Sequence, residues 1–124
     1  MDFEISLSRD GKHVRVRPLT GITADMAARF AQAAAKLGAQ NNICKLLVDE
    51  RGCKSLSRTM DKYTFAYSGS ETIGLTRNWQ IAVIKDPGKS EVDFMETVMV
   101  NAGFEFRTFT MEDEALAWLE QRAL

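Results

Sequence analysis

What this chain has little of narrows its function before any motif is read. No apolar run approaches the roughly 20 residues that a membrane-spanning helix needs, and the start, Met1, Asp2, Phe3 and Glu4, lacks the basic and apolar segments of a secretory signal. The expectation is a cytoplasmic protein without a transmembrane segment. A charge excess is also missing: 16 Lys and Arg stand against 17 Asp and Glu, whereas a protein that grips phosphate backbones carries a basic surplus. Nucleic acid is not an expected partner. The chain has 1 histidine and 2 cysteines, and Cys44 and Cys53 form neither a CxxC redox pair nor half of a zinc site. They read as free thiols, one in a strand and one in a loop, and neither a metal nor a cofactor is expected. No glycine-rich phosphate loop follows a strand; the glycines fall at turns and helix ends.

What is present reads as one domain over residues 1–124, since 45% hydrophobic and 27% charged residues are the balance of a globular chain of this length. Phe3, Ile5 and Leu7 alternate with polar residues. After Asp10-Gly11 the alternation resumes at Val14 and Val16, which predicts a β-hairpin with one wet face. His13 falls on the polar side and is expected to be solvated rather than catalytic. Thr23 caps a predicted helix with Met26, Phe30, Ala33, Ala34 and Leu37 on one stripe, and Gly38 is read as its end. Ile43 to Val48, apolar apart from Lys45, predicts a strand covered on both faces and stopping at Asp49.

A second helix is predicted from Ser57 or Thr59, with Met60, Tyr63 and Tyr67 inward, then a buried strand over Trp79 to Ile84. Ser90 with Asp93 resembles a capping box for a helix bearing Val92, Met95, Met99 and Ala102, which Gly103 closes. Phe104 to Phe109 supplies the last strand. Thr110 with Asp113 repeats the cap before a final helix carrying Leu116, Trp118 and Leu119. Right-handed crossovers, each strand added beside the last, put the crossover helices on one side of the sheet and leave part of the other face bare.

This order, with LLVDERG at Leu46 to Gly52, WQIAVIKDP at Trp79 to Pro87 and DEALAWL at Asp113 to Leu119, resembles the SpoIIAA-like branch of the STAS superfamily across nearly the whole chain. The resemblance implies an α/β fold built as a βα superhelix: a mostly parallel five-stranded sheet with an N-terminal antiparallel hairpin and helices mainly on one face. It also implies a non-enzymatic binding module, as in anti-sigma-factor antagonists, the STAS domains of anion transporters and lipid-carrying CRAL-TRIO domains. In the antagonists a phosphorylated Ser follows an Asp. Laid from Asp49, that pattern puts Ser57 and Arg58 at the two positions, so only a one-residue slip brings Ser57 or Thr59 into the phospho-acceptor role.

Two further clusters stand out. The helix starts at Thr23, Ser57, Ser90 and Thr110 should gather at the C-terminal strand edge near Arg51, Arg58, Lys85 and Lys89, a setting for a phosphate, sulfate or carboxylate. Ordinary capping explains the same residues. Tyr63, Phe65, Tyr67, Met95, Met99, Phe106 and Phe109 either line an apolar pocket or fill the core. The leading expectation is a module that docks a protein partner or its own copy as a homodimer. The alternatives are a carrier or sensor of a small apolar, lipid-like or anionic ligand, and an enzyme acting on an anionic metabolite through Arg51, Arg58 and Asp49.

Overall fold

A computed structural model of the chain describes residues 2–54, 75–87 and 90–121, with the backbone alone for 90–95. Five strands form one sheet in the order β1-β2-β3-β4-β5: β1 Phe3–Leu7, β2 Val14–Pro18, β3 Lys45–Asp49, β4 Gln80–Ile84 and β5 Glu105–Phe109. β1 pairs antiparallel with β2, and every later neighbour is parallel. Three described helices accompany them, α1 Ala24–Asn41, α2 Ser90–Asn101 and α3 Glu112–Glu120. The predicted helix after Ser57 lies outside the described residues, as do Tyr63, Phe65 and Tyr67.

The hairpin connection is longer than Asp10-Gly11 alone suggests. Ser8 N–H donates to the His13 carbonyl at 2.9 Å, and the Ser8 hydroxyl oxygen takes the N–H groups of Lys12 and His13 at 3.1 and 3.2 Å. The ladder also fixes parity. Ser8 opposite His13, and Leu19 N–H bonded to the Asp2 carbonyl at 2.9 Å, continue the Glu4–Arg17 and Ser6–Arg15 pairs. The even residues of β1 therefore spend their backbone groups on β2, and those of Phe3, Ile5 and Leu7 point away from the sheet.

Thr23 caps α1 as the spacing predicts, its hydroxyl accepting from Met26 N–H at 3.1 Å. Gly38 does not end that helix. Asn42 does, at φ 56°, with its N–H returned to the Gly38 carbonyl, a cap that Asn tolerates because its short polar side chain suits the left-handed region. Gly38 is instead needed for close approach. A Cβ there would collide with the Trp79 ring and the Ile43 carbonyl oxygen, so the glycine lets α1 lie against the strand entry.

Side-chain alternation divides the sheet into two faces. On the first, Phe3, Val14, Val16, Leu46, Val48, Ile81, Val83 and Phe106 join Met26, Phe30 and Ala34 of α1 and Val98 and Met99 of α2 in the main core. Met99 and Phe106, read as pocket candidates, are 0% and 8% exposed in that core. The side chain of Met95 lies outside the described residues. The second face is not left bare throughout. Ala115 and Leu119 of α3 pack on Leu47, Ala82 and Ile84 in a separate small core, joined by Phe109, Leu116 and Trp118. The crossover rule concerns strand-helix-strand units only, and α3, which follows the last strand, is free to cross to the other side.

Candidate functional site on the second face

α3 is held by polar groups at both ends. Its first turn carries Glu112, Asp113 and Glu114, which suit the positive end of the helix dipole. Its N-cap is Met111, without a side-chain bond, so the cap expected from Thr110 is corrected: the acidic run supplies the favourable charge in its place. At the far end Lys45 Nζ donates to the Leu119 carbonyl at 2.5 Å and Gln80 Nε2 to the Trp118 carbonyl at 2.9 Å. Lys45 is 8% exposed and Gln80 1% exposed. Lys45 satisfies a carbonyl that the helix end leaves open, and Gln80 adds a second bond to the Trp118 carbonyl, which also accepts from Gln121 N–H at 3.2 Å.

Between α3 and the hairpin the second face stays uncovered and charged. Asp49, at the end of β3 and 7% exposed, accepts from Arg51 Nε at 2.9 Å, Arg51 Nη2 at 2.7 Å and Arg17 Nη1 at 2.9 Å. Glu112 accepts from Arg51 at 3.2 Å and Arg15 at 3.3 Å. A continuous ion-pair chain thus runs from β2 through the β3 end to α3. The Arg51 hydrogen bonds hold the Asp49 carboxyl below the usual carboxylate range against the opposing effect of its burial.

Arg15 links this chain to His13, its Nη1 donating to His13 Nε2 at 3.3 Å. Arginine has only donors, so that ring nitrogen is the acceptor and the imidazole is neutral. The expected solvated histidine is corrected: His13 is 6% exposed. Burial first, and the Arg15 charge second, push its pKa below the ordinary value. The alternation placed His13 on the Arg15 side of the hairpin, but α3, which borders that side, comes from the far end of the sequence. An open cleft of about 900 Å³ follows this side, lined by Ser8, Arg9, Lys12, His13 and Arg15 along the hairpin and by Glu112, Leu116 and Leu119 along α3.

The anion candidates are not gathered as one group among the described residues. Arg51 is engaged with Asp49 and Glu112, and Lys85 Nζ lies 3.4 Å from Glu50 on the other side of the strand ends. Ser57, Arg58, Thr59 and Lys89 lie outside the described residues. Ser90 opens α2, and its side chain lies outside them too. Thr110 sits in the bend before α3. Cys44 and Cys53 are free thiols; Cys44 precedes β3 by one residue, and burial pushes the Cys53 thiol up. The cleft itself escaped sequence reasoning, although Lys45 inside an apolar strand was its one visible signal.

The fold defines an α/β protein with a hairpin-started, otherwise parallel sheet whose strands lie side by side in chain order. A solved structure from Shewanella loihica, an uncharacterized protein from the DUF3478 family with a SpoIIAA-like fold, matches 94% of this chain and 91% of its own, at TM-score 0.58 and 18% identity. The chain therefore has a SpoIIAA-like fold. No family profile matches it, and no curated protein does. Among the described residues no helix is long and apolar enough to cross a membrane.

Proposed function

We propose that this chain is a cytoplasmic, non-enzymatic binding module of the STAS-like type that works by protein-protein contact and self-associates as a homodimer. The observation that carries this reading is the half-covered second face. α3 closes off the β3–β5 side, while the cleft beside β2 carries Arg9, Asp10 and Lys12 on one rim and Glu112 and Glu120 on the other, beside the apolar edge of Leu116. A polar rim of mixed charge next to apolar side chains is the composition of a protein docking surface.

The carrier reading is favoured by the same cleft, whose volume exceeds the roughly 300 Å³ of small-ligand pockets. Its apolar ligand would lie on Leu116 and Leu119, and an anionic one against Arg15. The enzyme reading is weakened at Asp49 and Arg51, which are bonded to each other and so are poor free acid-base or anion-holding groups. Native mass spectrometry of the purified protein tests the proposal. Bare protein masses are the expected result. A stoichiometric extra mass of ligand size, lost in Arg15→Ala, would replace the module with a carrier.

A further inference from the structure

The two edges of the sheet are treated differently, and the difference singles out one of them. At β5 the outward N–H of Thr108 is taken by the Glu96 carboxylate of α2 at 2.7 Å, and the Thr108 hydroxyl by the same oxygen at 3.0 Å. That edge is plugged by a side chain, one of the ways proteins prevent a strand from recruiting another. At β1 no described group does this. The backbone groups of Phe3, Ile5 and Leu7 point outward, as the Ser8–His13 and Leu19–Asp2 bonds require, and Leu7 is 36% exposed.

We propose that β1 pairs antiparallel with β1 of a second copy about a two-fold axis at Ile5, joining the two sheets into one. The β1 sequence complements itself in that register. Phe3 falls opposite the partner's Leu7, Ile5 opposite the partner's Ile5, and Leu7 opposite the partner's Phe3. These are the residues whose N–H and C=O groups face outward, so each pair exchanges two backbone hydrogen bonds and no outward group is left over. Their side chains share the core face, so the contact continues the main core and covers Leu7.

On the other face Glu4 falls opposite the partner's Ser6, so like charges do not meet. Glu4 pairs with Arg17, and Ser6 with Arg15, across the hairpin. The joined sheet would then carry Arg17, Glu4, the partner's Ser6 and the partner's Arg15 in one row. A second copy therefore fits in backbone parity, apolar pairing and charge. A register slipped by one residue would oppose outward backbone groups to inward ones and turn Ile5 toward Glu4. This inference specifies the self-association within the interaction-module reading, and its contact is separate from the cleft beside α3.

Sedimentation velocity over a wide concentration range tests it first. A single strand-to-strand contact is small, so a reversible, concentration-dependent dimer is expected. Ile5→Pro deletes the central N–H at an edge position, where proline is tolerated within a fold, and is expected to be monomeric at every concentration with an unchanged circular dichroism spectrum. In a Cys44→Ala, Cys53→Ala background, Ile5→Cys is expected to form a disulfide-linked dimer under mild oxidation. The predicted pair spacing of about 5.5 Å between Cα atoms suits a disulfide. Glu4→Cys, whose two copies stand diagonally, is expected to cross-link far more slowly.

A protein that stays monomeric throughout overturns the proposal, as does a dimer that cross-links equally from both positions. If Ile5→Pro does not fold, the cross-linking ratio alone decides. A monomer whose native mass is bare sinks the β1 pairing and leaves docking at the cleft standing. A dimer carrying stoichiometric ligand does the reverse.

Discussion

The two faces of this sheet solve opposite problems. The first is apolar from Phe3 at one edge to Phe106 at the other and holds α1 and α2 mainly by apolar area, with Arg29–Asp2 and Glu96–Thr108 bonds at its two edges. The second is apolar only beneath α3, whose last turn Lys45 secures; elsewhere it carries Asp49, Arg51, Arg15, Arg17 and His13, tied by directional bonds to one another and to Glu112. The first face stabilises the fold and has little surface left to offer. The second keeps charged groups in fixed positions beside open space, where recognition is possible.

The contrast can be broken most strongly on the first face. Leu46→Ala, at a position 2% exposed, is expected to cost about 2 to 5 kcal/mol in denaturant unfolding. Gly38→Ala should follow. Alanine would gain up to about 1 kcal/mol in an ordinary helix, but here its Cβ meets the Trp79 ring and a backbone carbonyl, and overpacking of that kind costs about 1 to 3 kcal/mol. A stabilised Gly38→Ala protein would show that α1 can back away from the strand entry.

On the second face the effects are smaller. Asp49→Ala leaves Arg17 and Arg51 without their shared acceptor, but their side chains are 50% and 39% exposed and water replaces part of the loss. We expect about 1 kcal/mol, with a larger change in partner binding than in stability. The Asp49 carboxyl is held low in the folded state, so its pairing contributes fully above the unfolded value near 3.8 and is lost as pH falls below it.

His13 gives the face a second pH signature. Its folded pKa is depressed, so the unfolded chain binds the extra proton first, and stability falls as pH drops below about 6.5. Arg15 and Lys45 oppose the charged imidazole, while Asp10 and Glu112 favour it. In His13→Asn the slope in melting temperature between about pH 6.5 and 5 should vanish; a slope that survives would assign it to another group. The smallest contrast lies between two threonines that the sequence made equivalent. Thr23→Ala should cost about 1 kcal/mol through the lost cap, and Thr110→Ala less than about 0.5 kcal/mol because it caps nothing.

Most of the architecture was legible from local pattern. The hairpin, the two buried strands at Lys45–Asp49 and Gln80–Ile84, the last strand and the terminal helix all follow from periods that each segment carries by itself. The cleft was not legible in this way. His13 read as solvated and Gly38 as a helix end, and both readings failed because the deciding neighbour lies far away in the chain: α3 for His13 and Trp79 for Gly38. The Thr110 reading failed locally, because α3 starts one residue later, from Met111, and its acidic first turn supplies charge in place of a hydroxyl cap.

By itself the sequence determined where the described strands and helices lie, apart from the end of α1, the pairing of β1 with β2, and the apolar first face, because these depend on alternation and on short connections. Only the tertiary structure decided that α3 crosses to the second face, that Lys45 and Gln80 secure its last carbonyls, and that Asp49, Arg51, Arg17, Arg15, His13 and Glu112 form one connected row. A terminal helix has no following strand to fix its side. Its place is set by which exposed sheet surface offers both an apolar strip and partners for the polar groups at its ends.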